Sequence, residues 1–296
     1  MKENLSHPVA RRIQAQASDL TPKSRVLADF VLSHSRKAVF MTTKELADAC
    51  DVSEATVVRF VGHLGYKGYG DFIQTLRDYV DTEMTLLERA ELPDMKGGAT
   101  DRLWRVLSEE MDNLTQFFET VDRPSLERFV AEMAKAQTLY VVGARLSYTF
   151  AYYLGWSLTK IRADVRILNG SDSTAIDQLC VADRNSAVVV IATSRYPNEL
   201  IRLGRLARRH GLQLLVITDS QVSPLIPFAH LAMVAPSTHI PFIGTPATIS
   251  CISNYLVMEL AARGGDKVAR HQQRLEQTYR ENDILFNLER TDVGAF

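Results

Sequence analysis

The sequence predicts an N-terminal all-α domain carrying a helix-turn-helix, followed by a C-terminal α/β domain with an αβα sandwich on a parallel sheet of about five strands. Three observations carry this expectation. The first third repeats apolar residues at helical spacing with caps at the right places. A segment rich in Pro and Gly then breaks the pattern. After Pro124, short apolar runs alternate with amphipathic stretches long enough for crossover helices. The boundaries read as 1–80 for the helical domain, 81–122 for a linker and connecting helix, 123–265 for the α/β domain, and 266–296 for a C-terminal helix and tail.

Within the first domain, "LTPKSRVLADFVLSH" has Thr21 as N-cap, Pro22 at the first helical position, and Val26, Leu27, Phe30 and Val31 as its apolar stripe. "TTKELADACDVS" reads as a short helix opened by a Thr42–Glu45 capping box, with Leu46, Ala47 and Cys50 facing inward. Asp51 falls where the turn needs a residue tolerant of left-handed geometry, and Val52 points back to the core. The next helix, in "VSEATVVRFVGHLGYKGYG", takes Ser53 as N-cap, buries Val57, Phe60, Val61 and Leu64, and stops at Gly65. Its opposite face collects Ala55, Thr56, Arg59, Gly62 and His63, small, hydroxylated or cationic residues suited to a groove. This is helix-turn-helix spacing, although an ordinary helical hairpin has the same apolar pattern. "GDFIQTLRDYV" supplies another helix, "ERAELPDMKGGAT" with Pro93, Gly97 and Gly98 reads as linker, and a helix is expected over about 101–120.

In the second domain, "TLYVVG", "DVRIL", "SAVVVIATS", "LQLLVIT" and "LAMVA" are the buried strands. The loops "GARLS" and "TSRYPNE", after the first and third strands, present hydroxyls and backbone amides beside helix N-termini, which suits an anion.

Composition narrows the class. A chain of 296 residues with 46% hydrophobic content builds its cores without disulfides or metal. Cys50, Cys180 and Cys251 are odd in number and far apart, so buried free thiols are expected. The start "MKENLSHPVARRIQ" lacks a signal-peptide core and no run reaches bilayer length, so a cytoplasmic protein with no membrane partner is expected. The net charge of −1 places any DNA affinity in local cations, namely Arg11, Arg12, Lys23, Arg25, Arg36, Lys37, Arg59 and Lys67.

Together the two halves resemble the RpiR family of bacterial transcriptional regulators, in which a helix-turn-helix domain precedes a sugar isomerase (SIS) domain. The likeness in the first half rests on Ser53, Ala55, Thr56, Val58, Arg59 and Phe60. It implies that the helix over 54–64 is the recognition helix, with Thr42, Ser53, Ala55, Thr56, Arg59, His63 and Lys67 as DNA-binding candidates on a double-stranded operator. Arg59 would meet a guanine or phosphate and Thr56 a base edge or phosphate. Gly62 and His63 stand where family members often have basic residues.

The SIS resemblance implies effector-binding candidates Arg145, Ser147, Thr193, Ser194, Arg195 and Glu199. The family's first loop resembles Gly-x-Gly-x-Ser; Gly143 and Ser147 remain, with Arg145 at the middle glycine. Its second resembles Ser-x-Ser-Gly-x-x-x-Glu; here Ala192, Ser194, Arg195 and Glu199 fill those places. Ser147, Thr193, Ser194 and the Arg195 guanidinium would hold the phosphate of a sugar phosphate; alternatively Arg145 and Arg195 select a carboxylate, or Arg195 and Tyr196 fill the pocket. The expected protein is a homodimer or higher oligomer, not an enzyme, with no cofactor and no metal. Ligand binding would shift its paired helix-turn-helix domains through the 81–122 segment. Two other readings stay open: a SIS-fold sugar-phosphate isomerase, for which His239 and Glu259 are the nearest acid/base candidates, and a SIS domain that only dimerises the DNA-binding half.

Overall fold

A computed structural model describes residues 8–39, 41–83, 99–237, 239–240, 243–244 and 247–284. The helical domain comprises α1 (Pro8–Ala15), α2 (Pro22–Ser33), the short α3 (Ser35–Ala38), α4 (Thr43–Ala49), α5 (Glu54–His63) and α6 (Tyr69–Glu83). Its ends are set by local chemistry. Thr21 Oγ1 accepts the Ser24 amide at the start of α2, and Thr42 and Glu45 close a reciprocal capping box on α4. The α4–α5 turn passes through Asp51 at φ 51°, and α5 is followed by Gly65 at φ 80°. Leu27, Val31, Leu46, Phe60, Phe72 and Leu76 meet in one core. The stripe of α2 differs from expectation by one position: Val26 is exposed and Ala28 is buried in its place, because α5 packs onto the flank that Leu27, Ala28 and Val31 share. The linker segment 84–98, with Pro93, Gly97 and Gly98, lies outside the described residues.

The long helix α7 (Ala99–Thr120) leads to α8 (Arg123–Lys135) and then to a parallel sheet of five strands: β1 (Leu139–Gly143), β2 (Val165–Asn169), β3 (Ala187–Ala192), β4 (Gln213–Thr218) and β5 (Leu231–Val234). All five fall on the apolar runs read from the sequence. The strand order is β2-β1-β3-β4-β5. Between the strands lie α9 (Leu146–Leu158), α10 (Thr174–Cys180) and α11 (Asn198–Arg209), and α12 (Ala247–Gly264) and α13 (Asp266–Glu281) follow. Successive strand residues face opposite layers. Val141, Val189 and Leu215 join α8, α9 and α12 on one face, while Val142, Val190 and Val216 join α10 and α11 on the other. A small antiparallel pair, β6 (His239–Ile240) with β7 (Ile243–Gly244), was not anticipated. His239 therefore belongs to a strand, and Glu259 lies about 18 Å along α12 from its N-terminus.

The thiols also differ from expectation. Cys50 is buried under α4, but Cys180 and Cys251 are exposed, because each falls on the outward side of its helix. Among the described residues no cluster of His, Cys, Asp or Glu could hold a metal, and no helix is long and apolar enough to cross a membrane.

Candidate functional site

The exposed face of α5 is built by its periodicity. Ser53 Oγ accepts the Thr56 amide and starts the helix. Val57, Phe60 and Val61 are sealed into the core, which leaves Ala55, Val58, Arg59, Gly62 and His63 outward. Thr56 does not stand with them. It is only 8% exposed, and its hydroxyl shares a 2.9 Å hydrogen bond with Ser53 Oγ. The physical reason is that Thr56 and Phe60 are four residues apart, so Thr56 flanks the buried stripe. Val58 takes the outward place, 53% exposed, at helical spacing from Ala55 and Gly62 and next to Arg59; that same spacing makes it findable in the sequence. Arg59 Nε donates to the Ala55 carbonyl at 3.2 Å, which lays its guanidinium along the helix surface and leaves it exposed. A methyl added at Gly62 would meet nothing within 4 Å among the described residues, so no packing contact there requires a glycine.

Three neighbours of α5 have structural duties. Thr42 donates through its amide and its hydroxyl to Glu45 Oε2, which holds that carboxyl below its ordinary range. The Lys67 amide donates to Asp71 Oδ2 at 3.0 Å, while the Lys67 side chain is exposed. Arg12 lies 4.1 Å from the centre of the Tyr66 ring and donates to the Leu64 and Gly65 carbonyls at 3.1 and 3.0 Å. It thus satisfies carbonyls beyond the last turn of α5, where a cation suits the helix dipole. Sequence reading placed Arg12 among the phosphate-seeking cations; its partners lie over fifty residues away.

The second site sits at the C-terminal edge of the sheet, where the chain leaves β1 toward β2 on one side and returns to β3 on the other. Loops at such a switch point form the ligand crevice of open α/β sheets. Gly143 closes β1 so tightly against α9 that a Cβ there would clash with the Ser147 carbonyl oxygen. Ser147, buried, bonds Thr193 Oγ1 at 3.2 Å and accepts the Thr193 amide at 3.3 Å, tying the two loops together. Arg145 and Arg195 are exposed, with φ of 53° and 63°. Both hold the positive-φ backbone that favours glycine, and each brings a guanidinium group to its loop. Glu199, in the first turn of α11, accepts from Ser171 Oγ at 3.2 Å and so bonds to the loop after β2.

Sequence reading missed Asp219. It directly follows β4, and the pairing of Ala192 with Thr218 brings it beside Ser194. The Ser194 amide and hydroxyl both donate to Asp219 Oδ2 at 2.6 Å, and the Tyr196 hydroxyl donates to Oδ1 at 2.7 Å. Asp219 as a whole residue is 5% exposed.

The profile described as "Helix-turn-helix domain, rpiR family" matches residues 8–83, and that of the SIS domain matches 132–263. The chain belongs to the RpiR family. Relatives bear this out in name: the HTH-type transcriptional regulator YbbH of Bacillus subtilis is 23% identical over 261 residues, covering 85% of this chain and 88% of that protein. HexR of Pseudomonas aeruginosa, likewise an HTH-type transcriptional regulator, is 25% identical over 254 residues, with 86% and 87% covered. The bifunctional protein glk of Paraburkholderia xenovorans is 26% identical over 262 residues, but the match spans only 40% of its length. Among solved structures, the sugar isomerase domain of an RpiR transcription factor from Sphaerobacter thermophilus matches with TM-score 0.57 at 22% identity, covering 59% of this chain and 98% of that one. NanR of Vibrio vulnificus, solved with ManNAc-6P, matches with TM-score 0.55 at 22% identity over 92% of this chain and 98% of its own. This RpiR chain is thus a transcriptional regulator with a DNA-binding helix-turn-helix and a SIS domain.

Proposed function

We propose that this regulator binds operator DNA through Ala55, Val58, Arg59, Gly62 and His63 of α5, as a homodimer, and that its SIS domain senses a small anionic metabolite. One observation carries the sensing half: the switch-point loops keep glycine-like turns at Arg145 and Arg195 beside the hydroxyls of Ser147, Thr193 and Ser194. Turns of this kind aim backbone amides at an anion, and a guanidinium adds a charge-assisted, bidentate partner. Sugar phosphates and small carboxylates both fit that chemistry, and NanR, similar over most of the chain, is a protein solved with a phosphorylated sugar. On the DNA side, Arg59 suits a guanine edge or a phosphate, and Val58 suits a thymine methyl.

A route between the sites is supported by position. Asp219 and Gln221, beside the ligand loops, line a cleft shared with Arg12, Tyr66 and Lys67 of the helical domain. Ligand-dependent rearrangement there needs a coupling of only about 1–3 kcal/mol to change operator occupancy. The distance of Glu259 from the loop end of α12 supports a sensor over an isomerase. The reading of the SIS domain as a bare scaffold has one observation in its favour, the engagement of Ser194 by Asp219.

The test is binding of the full chain to DNA flanking its own gene, at fixed salt, with and without a panel of sugar phosphates and small carboxylates. A change of about fivefold or more in affinity with one of them is expected. No response to any panel member, with DNA binding intact, leaves the scaffold reading.

A further inference from the structure

Ser194 offers the ligand loop its best-placed pair of donors, a backbone amide and a hydroxyl pointing the same way. Both are already spent on one oxygen of Asp219, and Tyr196 engages the other. The carboxylate is nearly sealed from solvent and is held in place by the β3–β4 register. An anion bound at these donors would meet this group directly, and two anions sharing a site disfavour one another strongly.

Resting on the anionic-effector reading above, we propose that Asp219 is a resident anion competing with the effector for the Ser194 and Tyr196 donors. It sets a threshold: the loop admits only an anion that forms enough additional bonds, for instance to Arg145 and Arg195, to displace the carboxylate. Asp219 is then a specificity-determining residue, selecting effectors that carry their charge on a group able to reach both arginines and rejecting free inorganic phosphate. No covalent step is involved; the exchange is of one hydrogen-bonded anion for another.

The experiment is calorimetry of the full chain with inorganic phosphate and with a hexose 6-phosphate as probes. Asp219→Asn keeps the shape and one acceptor while removing the charge, and Asp219→Ser is a second variant in case the amide re-forms the contact; circular dichroism checks that both are folded. Phosphate binding tightened on the order of tenfold in either folded variant is expected. Phosphate affinity equal in the parent and both folded variants, including no detectable binding in any of them, overturns the proposal. The outcome is separable from that of the function itself. A parent whose DNA binding responds to metabolites while the Asp219 variants gain nothing defeats only the competition. Variants that gain phosphate while the parent responds to no metabolite defeat only the effector reading.

Discussion

At the scale of single residues, the arginines at positive φ and the arginine of α5 carry the sharpest expectations. Arg195 and Arg145 hold positive φ, at Arg145 with ψ of −129°, a sparsely populated backbone that costs a residue with a Cβ about 1–3 kcal/mol. Arg195→Gly is therefore expected to raise stability by about 1 kcal/mol in a urea melt, and Arg195→Ala to leave it near the parent value. Both are expected to weaken anion binding by about 1.5–3 kcal/mol, since the charge-assisted partner is gone. Stabilisation by glycine together with tighter sugar-phosphate binding would show that the guanidinium fills the pocket instead. Arg59→Ala is expected to weaken operator binding by about 1–3 kcal/mol and leave the melting temperature unchanged, because among the described residues the side chain bonds its own helix, at the Ala55 carbonyl. Filter binding at one salt concentration measures this. Residue roles set by near neighbours were legible in the sequence: Ser53, the Thr42–Glu45 box, Asp51 and Gly65 each act within a few positions of themselves. Asp219 and Arg12 were not, since their partners come from other elements, and no local pattern marks a carboxylate that will face a serine across two strands.

At the scale of elements, the sheet was readable because parallel strands covered on both faces are continuous apolar runs, as "AVVVIA" in β3 shows. The four-residue α3 and the two-residue strands β6 and β7 fall below the length at which periodicity carries information. The helix wheel of α5 located the buried stripe but put its flank one residue off at Thr56. Packing between elements also yields a pH prediction. The Tyr69 hydroxyl, on α6, donates to the Met41 carbonyl before α4 at 2.9 Å. Burial pushes its pKa up to about 12, with Glu45 and Cys50 adding to the shift, and burial raises Tyr66 in the same direction. For an acid whose folded pKa is raised, the neutral form is the one the fold favours. That contribution is complete below the ordinary tyrosine value near 10 and is lost as pH rises toward about 12. The helical domain is thus expected to lose stability between pH 10 and 12 as Tyr69 ionises. Tyr69→Phe, about 1 kcal/mol less stable at neutral pH for want of the hydrogen bond, is expected to lose less over that interval. Chemical melts at stepped alkaline pH measure both slopes; identical slopes would remove Tyr69 from the account.

At the scale of the whole molecule, the layer formed by α7, α9 and α12 leaves large apolar side chains outward. Leu103, Leu107, Met111 and Phe118 fall within about 80° of one another on α7, with Trp104 beside them, and Trp104 and Phe118 are 66% and 72% exposed. Tyr152 and Trp156 continue the theme one turn apart on α9, and Met258 does so on α12. The sequence shows α7 as amphipathic but not which body covers its apolar side, and within one chain α12 covers only part of it. Exposed apolar side chains of this kind suit an interface, and in the homodimer proposed above a second copy is their occupant. Two variants divide the surface: Trp104→Glu with Met111→Glu on α7, and Tyr152→Glu with Trp156→Glu on α9. These positions are exposed, so neither pair is expected to unfold the monomer. At least one is expected to sediment as a monomer at micromolar concentration. The same variant is expected to bind a full operator with affinity reduced on the order of a hundredfold, since the second half-site contact is no longer intramolecular. Its affinity for a single half-site is expected to be unchanged. If both variants remain dimeric with full operator affinity, the two-fold arrangement is built on some other face, and this layer has a different occupant.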